Sequence, residues 1–181
     1  MAPDLSIVIP AYNEASRLPS TLDAIAGYFA ARPFDVEVLV VNDGSTDATA
    51  QLRLPPDRPR LHWRMLHNPG NRGKGYSVRH GMLAAQGERL LFTDADLSAP
   101  MREVERLEAA LARGADIAIG SRSQTELLQA RQSWLREQAG RMFNRMVRWG
   151  LGLPFHDTQC GFKLFTRPAA LAIFPQQRIE G

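Results

Sequence analysis

Asp94 and Asp96 are the side chains in this sequence whose type and spacing point most directly to chemistry. They follow the apolar run 90–92, and on an extended segment residues two apart face the same way, so both carboxylates could offer oxygen to one hard divalent cation. Two carboxylates leave coordination positions open for a substrate diphosphate. The same letters also fit a strand that ends at Asp94 and a turn at Asp96, with Ser98 capping a helix that opens near Pro100. The pair by itself leaves both readings open.

Upstream, Gly73-Lys74-Gly75 sets an ammonium between two residues of unrestricted backbone, which suits contact with phosphate oxygens where a helix begins. It is not a Walker A loop, because the places of that motif's first glycine and of its Ser or Thr hold Asn68 and Gly75. A dinucleotide fingerprint fails as well, since its third glycine position is Val78. Without a phosphate, the segment is a glycine-rich turn with a solvated lysine. Asp43 before Gly44 could accept hydrogen bonds from a nucleobase edge, yet Asp-Gly-Ser is also a common turn, and on these letters alone the turn is favoured. His62, His67, His80 and His156 show neither metal spacing nor a Cys or Ser partner and read as surface or packing residues.

These clusters need elements to position them, and the hydrophobic pattern supplies a set. Residues 5–10 are a short β-branched run closed by Pro10, a buried strand ending in the loop that carries Asn13 and Glu14. Leu18, Leu22, Ile25 and Phe29 then recur at helical spacing. Residues 36–41 are a second buried strand, followed by the 42–45 turn and a short helix over 46–52 with Asp47 in its first turn. Further strands are expected at 61–66, 89–93, 115–119 and 161–165, and helices at 76–86 and 101–113. Alternating strands and amphipathic helices predict an α/β fold with a mostly parallel central sheet flanked by helices. In such sheets ligands sit beyond the carboxyl ends of the strands, which is where the four polar clusters fall.

Composition bounds the rest. At 181 residues, 44% hydrophobic and 23% charged, the chain is expected to form one domain, residues 1–181, with a side-chain core. The single Cys160 can form no internal disulfide, and no Cys/His array offers zinc. No apolar run approaches the roughly 20 residues of a membrane span, and no secretory leader is legible, so a cytoplasmic location is expected. The net charge of +3 is too mild to indicate nucleic acid as a partner. It is unevenly spread, however: residues 122–148 hold six arginines against two glutamates, a patch suited to an acidic partner. Within it, the stretch 134–149 places arginines on one face and Met, Phe and Trp around the rest, which fits a helix lying on an anionic membrane surface and equally a core-packed helix. The chain stops at Gly181 without a closing element, as expected if a longer natural protein was cut there.

Ser6-Ile-Val-Ile-Pro-Ala-Tyr-Asn-Glu14, Val41-Asn-Asp-Gly-Ser-Thr-Asp47, Asn71-Arg-Gly-Lys-Gly75, Asp94-Ala-Asp96, Gly120-Ser-Arg122 and Asp157-Thr-Gln-Cys-Gly-Phe-Lys163 occur in the order of the family 2 glycosyltransferases. The chain resembles that family's polyprenyl-phosphate branch from Leu5 to Gly181, its glucose-transferring members more than its mannose-transferring ones. The resemblance implies a GT-A fold, a nucleoside diphosphate sugar donor and a divalent metal, Mg2+ or Mn2+. It implies base and ribose contacts from Pro10, Ala11, Tyr12, Asn13, Glu14 and Asp43, and a diphosphate contact from Lys74. Asp94, Ala95 and Asp96 would form the aspartate-x-aspartate motif, with Asp94 and Asp96 on the metal. Mannose-transferring members often carry a glutamine where this chain has Ser98 and a serine near position 140, where it has Gly140.

The implied reaction is inverting transfer of glucose from UDP-glucose, with GDP-mannose the second choice of donor, to a polyprenyl phosphate such as dolichyl phosphate. Arg122 and Arg136 would hold the acceptor phosphate, and Asp157 and Gln159 would shape the sugar end. Read without the family, the two arginines are a solvated helix face and 157–159 a loop turning into a strand. A phosphate acceptor is already ionised near neutral pH and requires no strong base. A soluble hydroxyl acceptor would require one, with Asp157 the candidate. A sugar-nucleotide-binding module without turnover is the reading from a different class.

Overall fold

The computed structural model describes residues 2–97, 99–120 and 160–179. Apolar β-branched residues build its central strands, β1 (Leu5–Ala11) and β2 (Val36–Asn42), each buried along its whole length. Strands covered on both faces need no polar alternation, which is why they read as continuous apolar runs. β3 (Leu61–His67) lies at the edge and alternates between buried and exposed positions at its start. β4 (Arg89–Thr93), β5 (Ile117–Ile119) and β6 (Phe162–Thr166) complete a six-stranded sheet of order β3-β2-β1-β4-β6-β5.

Alternate residues feed two apolar layers. Ile7, Ile9, Val38, Val40 and Leu91 pack with α1 (Leu18–Phe29) and α3 (Val104–Ala112) on one face. Val8, Leu39, Val41, Leu90 and Phe92 pack with α2 (Lys74–Ala84) and α4 (Arg167–Ile173) on the other. The helical spacing of Leu18, Leu22, Ile25 and Phe29 puts all four into the first layer. Burying each is worth about 1.5–3 kcal/mol.

The parallel pairings β1–β2, β1–β4 and β2–β3 are those the alternation predicts. β6 departs from them: it runs antiparallel between β4 and β5. Two other expectations are corrected locally. The helix expected over 46–52 is one 3-10 turn, Ala48–Gln51, because the Asp47 side chain accepts from Thr49 N–H and caps it. The helix expected from Met101 begins with a 3-10 turn, Met101–Glu103, before α3.

The register also makes the cleft. β1 pairs with β2 as far as Ala11↔Asn42, but with β4 only as far as Val8↔Phe92. Pro10 has no N–H to give. Past Phe92 the chain turns towards β6, and Asp94 N–H donates to Gly161 O at 3.1 Å. The last three residues of β1 therefore face an opening at the point where strand order reverses, the usual ligand crevice of such sheets.

Candidate functional site

An open cleft of about 470 Å³ sits at this point. Pro10, Ala11, Tyr12 and Glu14 reach it from β1 and its loop, Asp43 from the end of β2, Lys74 from the start of α2, and Asp94, Ala95 and Asp96 from the end of β4. Among the expected contacts within the described residues, Asn13 is the exception. Its side chain turns to the neighbouring loop, where Oδ1 accepts from Thr46 N–H at 2.9 Å and from the Thr46 hydroxyl at 3.3 Å. Asn13 holds φ +55°, a left-handed conformation that asparagine tolerates better than most residues. Its amide oxygen thus pins the neighbouring loop. Arg122, Arg136, Asp157 and Gln159, with Ser98 and the 134–149 stretch, lie outside the described residues.

Asp43 is 4% exposed and its carboxylate is occupied. Oδ1 accepts from Asn68 Nδ2 at 2.7 Å and from Arg72 N–H at 2.9 Å, and Oδ2 accepts from Gly73 N–H at 2.8 Å. The carboxylate organises the loop before α2. The adjoining turn needs glycine at position 44: φ is +67°, and a Cβ there would lie 2.4 Å from the Gly70 carbonyl carbon. Beside it, Asp47 accepts from the Thr49 hydroxyl at 2.5 Å, which holds its carboxyl below the ordinary value.

α2 enters the cleft with no side-chain cap on its first turn. Its free N–H groups and dipole favour an anion there. The far side of the helix is tied down, with Arg79 Nε donating to Phe174 O at 3.0 Å and Gln177 Nε2 to Gly75 O at 3.1 Å. Lys74 Nζ lies 2.7 Å from Asp94 Oδ1. The lysine is largely exposed and Asp94 three-quarters covered, so this ion pair is the part of the site most open to exchange.

Asp94 and Asp96 do share the cleft, but not by the geometry expected. The segment is a turn rather than an extended strand, closed by Leu97 N–H to Asp94 O at 3.2 Å with Leu97 at φ +46°. Thr21 Oγ1 in α1 donates to Ala95 O at 2.6 Å and holds the turn from beneath. Gly161 makes room for the carboxylate, since a Cβ there would fall 1.8 Å from Asp94 Oδ2. Among the described residues no three His, Cys, Asp or Glu side chains gather as a metal cage. Asp94 already holds an ammonium cation, and with Asp96 in the same cleft the two hard carboxylates suit a divalent cation when diphosphate oxygens complete the coordination.

Gly73, in the run expected to meet phosphate, lines the cleft, and so do Asn71 and Ser77, which the sequence pattern does not single out although Asn71 lies in a quoted motif. Nor does that pattern single out Asn68 or His80, which sit behind Asp43. Ser77 and His80 follow Gly73 at helical spacing, a signal that was present. Asn68 gave none beyond following a strand. Glu14 points back along its own loop, with Oε1 accepting from Arg17 Nη2 at 2.9 Å. Its Oε2 is 2.8 Å from Arg17 Nε, close enough for an ion pair but without hydrogen-bond alignment.

The chain is 41% identical over 191 residues to a dolichyl-phosphate beta-glucosyltransferase of Drosophila melanogaster, covering 98% of this chain and 59% of that protein. It is 36% identical to one of Homo sapiens, covering 97% and 59%. The chain thus spans about three fifths of the length of the curated relatives it matches. Among solved structures, glucosyl-3-phosphoglycerate synthase from Mycobacterium tuberculosis, in complex with Mn2+, UDP-glucose and phosphoglyceric acid, matches 92% of this chain and 57% of its own. The TM-score there is 0.60 at 20% identity, a likeness of fold, and the fold is the expected GT-A arrangement. The model of the family described as Glycosyl transferase family 2 matches residues 6–174, and the chain belongs to that family.

Proposed function

We propose that this chain is the catalytic part of a metal-dependent, inverting glycosyltransferase that moves glucose from UDP-glucose to a polyprenyl phosphate such as dolichyl phosphate. The observation that carries the reading is the meeting, in one cleft, of an uncapped helix N-terminus and Lys74 with the Asp94–Asp96 pair. One half suits a diphosphate and the other a divalent cation. The choice of glucose and of a lipid phosphate rests on the relatives' names.

In this reading Tyr12, about half exposed at the cleft mouth, offers an aromatic face to the base. Asp43 holds the 72–73 backbone so that α2 and Lys74 meet the diphosphate. Mg2+ or Mn2+ on Asp94 and Asp96 would supply positive charge at the leaving diphosphate. Arg122 and Arg136 are assigned to the acceptor phosphate, whose planar, bidentate recognition suits guanidinium groups. An oxygen of that phosphate attacks the anomeric carbon as the bond to the diphosphate oxygen breaks, inverting the centre and releasing UDP. Because the nucleophile is already ionised, the protein's task is alignment and charge stabilisation. Asp157 and Gln159 are assigned to the sugar end. Among the described residues no helix is long and apolar enough to cross a membrane, and contact with the lipid is assigned to the basic, amphipathic 134–149 stretch.

The test incubates the chain with Mn2+, radiolabelled UDP-glucose and vesicles carrying polyprenyl phosphate. Label should pass into the organic phase, and Asp94→Asn should abolish the transfer. Label taken from GDP-mannose instead would replace the donor. UDP binding without transfer to any acceptor would favour a binding module.

A further inference from the structure

We propose that His80, which lines no part of the cleft, is a positioning residue for it: by fixing the Asn68 amide it fixes Asp43, and through Asp43 the backbone that opens α2. The proposal rests on the reading of the cleft as a nucleotide diphosphate site.

Hydrogen-bond inventory carries the argument. Asn68 is 7% exposed, and both Nδ2 protons are used, one on Asp43 Oδ1 at 2.7 Å and one on Ser77 Oγ at 2.8 Å. Its Oδ1 lies 2.7 Å from His80 Nδ1. An amide oxygen only accepts, so His80 must donate from Nδ1. A flipped amide would turn its oxygen on the Asp43 carboxylate, which has no proton to give, so the carboxylate sets the orientation of the amide and with it the donor tautomer of His80. The Nδ1–H of His80 then holds the amide oxygen and keeps Asn68 in the place from which it donates to Asp43. The Asn68 backbone cannot shift to compensate, because its N–H is bonded to Asn42 O at 2.9 Å.

The chain of bonds closes on itself. Asp43 holds the N–H groups of Arg72 and Gly73, and Gly73 O accepts from Ser77 N–H and from the Ser77 hydroxyl, both at 3.1 Å. Ser77 in turn accepts from Asn68. This ring leaves the first turn of α2 aimed at the cleft with its own N–H groups uncommitted to a side-chain cap. His80, half-buried on α2 with its ring edge towards Tyr76 at 6.3 Å, anchors the ring from outside. Members of such a buried polar network act together, so losing one donor loosens the rest.

Two readouts test this. Amide hydrogen exchange at Arg72 and Gly73 needs no ligand and should quicken about tenfold in His80→Leu, with the β1 and β2 amides unchanged. UDP affinity, measured by calorimetry with Mn2+, should fall about fivefold in His80→Leu and recover to within about twofold in His80→Asn, whose amide nitrogen replaces Nδ1–H. If His80→Leu does not fold, His80→Ala is measured in its place. Unchanged exchange at residues 72 and 73 would overturn the proposal. So would His80→Asn behaving like His80→Leu, which would reduce the ring to packing. Wild-type protein that binds no UDP would remove the nucleotide reading, while the exchange measurement would still decide whether His80 sets the loop.

Discussion

β2 carries a buried carboxylate at each end of its run, Glu37 in its second position and Asp43 one residue past its last, each 4% exposed. Both are saturated by neighbours. Glu37 accepts from the Ser6 hydroxyl at 2.5 Å and from Gln86 N–H, with Arg64 Nη1 3.4 Å away. Asp43 accepts from Asn68, Arg72 and Gly73. The difference lies in where the donors lead. Ser6, Arg64 and Gln86 belong to β1, β3 and the connection into β4, so Glu37 seals a seam among elements that end there. Gly87 N–H, donating to Ser6 Oγ at 2.7 Å, continues that seam. Asp43's donors belong to one loop that opens into a helix facing a cleft. Equal burial and equal satisfaction therefore serve cohesion at the amino ends of the strands and, in the function proposed above, recognition at the carboxyl ends.

The contrast is broken most forcefully by Glu37→Ala. It leaves the Ser6 hydroxyl and Gln86 N–H without their acceptor and should cost about 3 kcal/mol of stability, read from the urea midpoint. UDP affinity of the folded variant should stay within about twofold of wild type. A comparable loss of UDP binding would show that the two ends of β2 are not separable.

At the carboxyl end the ranking should reverse. Gly161→Ala forces the Asp94 carboxylate from its place, and Mn2+ affinity in the presence of UDP should fall about 30-fold, the scale of losing a partner that orients a ligand. Asp43→Asn keeps the volume but sets an NH2 against one of the N–H groups the carboxylate accepts. UDP affinity should drop about tenfold, one charge-assisted hydrogen bond, for a stability cost of about 1 kcal/mol. Calorimetry alongside urea unfolding checks both variants. A stability loss for Asp43→Asn equal to that of Glu37→Ala, with UDP binding intact, would make Asp43 a second seam.

Legibility in the sequence divides along the same line. β1, β2 and α1 could be read because burial on two faces, or on one helical stripe, imposes its period directly on residue type. The antiparallel run of β6 could not, since the strand pattern carries no direction and the long stretch before it gives none. The spacing of Asp94 and Asp96 marks them as a pair, yet two carboxylates two residues apart look alike in a strand and in a turn. The turn depends on Thr21 in α1 and on Gly161 beside β6, both far away in sequence. His80 shows neither metal spacing nor a Cys or Ser partner and so reads as a surface or packing residue, while the partner it meets, Asn68, lies 12 residues back. Local period was legible, and partnership across elements was not.

The smallest expected effect sharpens the comparison most, because its sign is the informative part. A cation meets a carboxylate near each end of the sheet, Arg64 on Glu37 below and Lys74 on Asp94 above. The lower carboxylate is sealed, with 5% of its side chain exposed. The upper pair is open, with Lys74 60% exposed, and an exposed pair of this kind is worth only about 0.5–1 kcal/mol. Lys74 is therefore a counter-ion that a divalent cation can displace and that a diphosphate can draw away. Lys74→Met should bind Mn2+ about threefold more tightly than wild type when no nucleotide is present, and UDP more weakly. Arg72→Met removes an equal charge from a guanidinium stacked 4.8 Å from the Tyr76 ring and controls for the general field of the loop. Paramagnetic resonance of free Mn2+ measures both variants without turnover. Equal tightening in both would make the effect long-range charge, and weaker Mn2+ binding by Lys74→Met would mean that the lysine supports the acidic pair instead of occupying it.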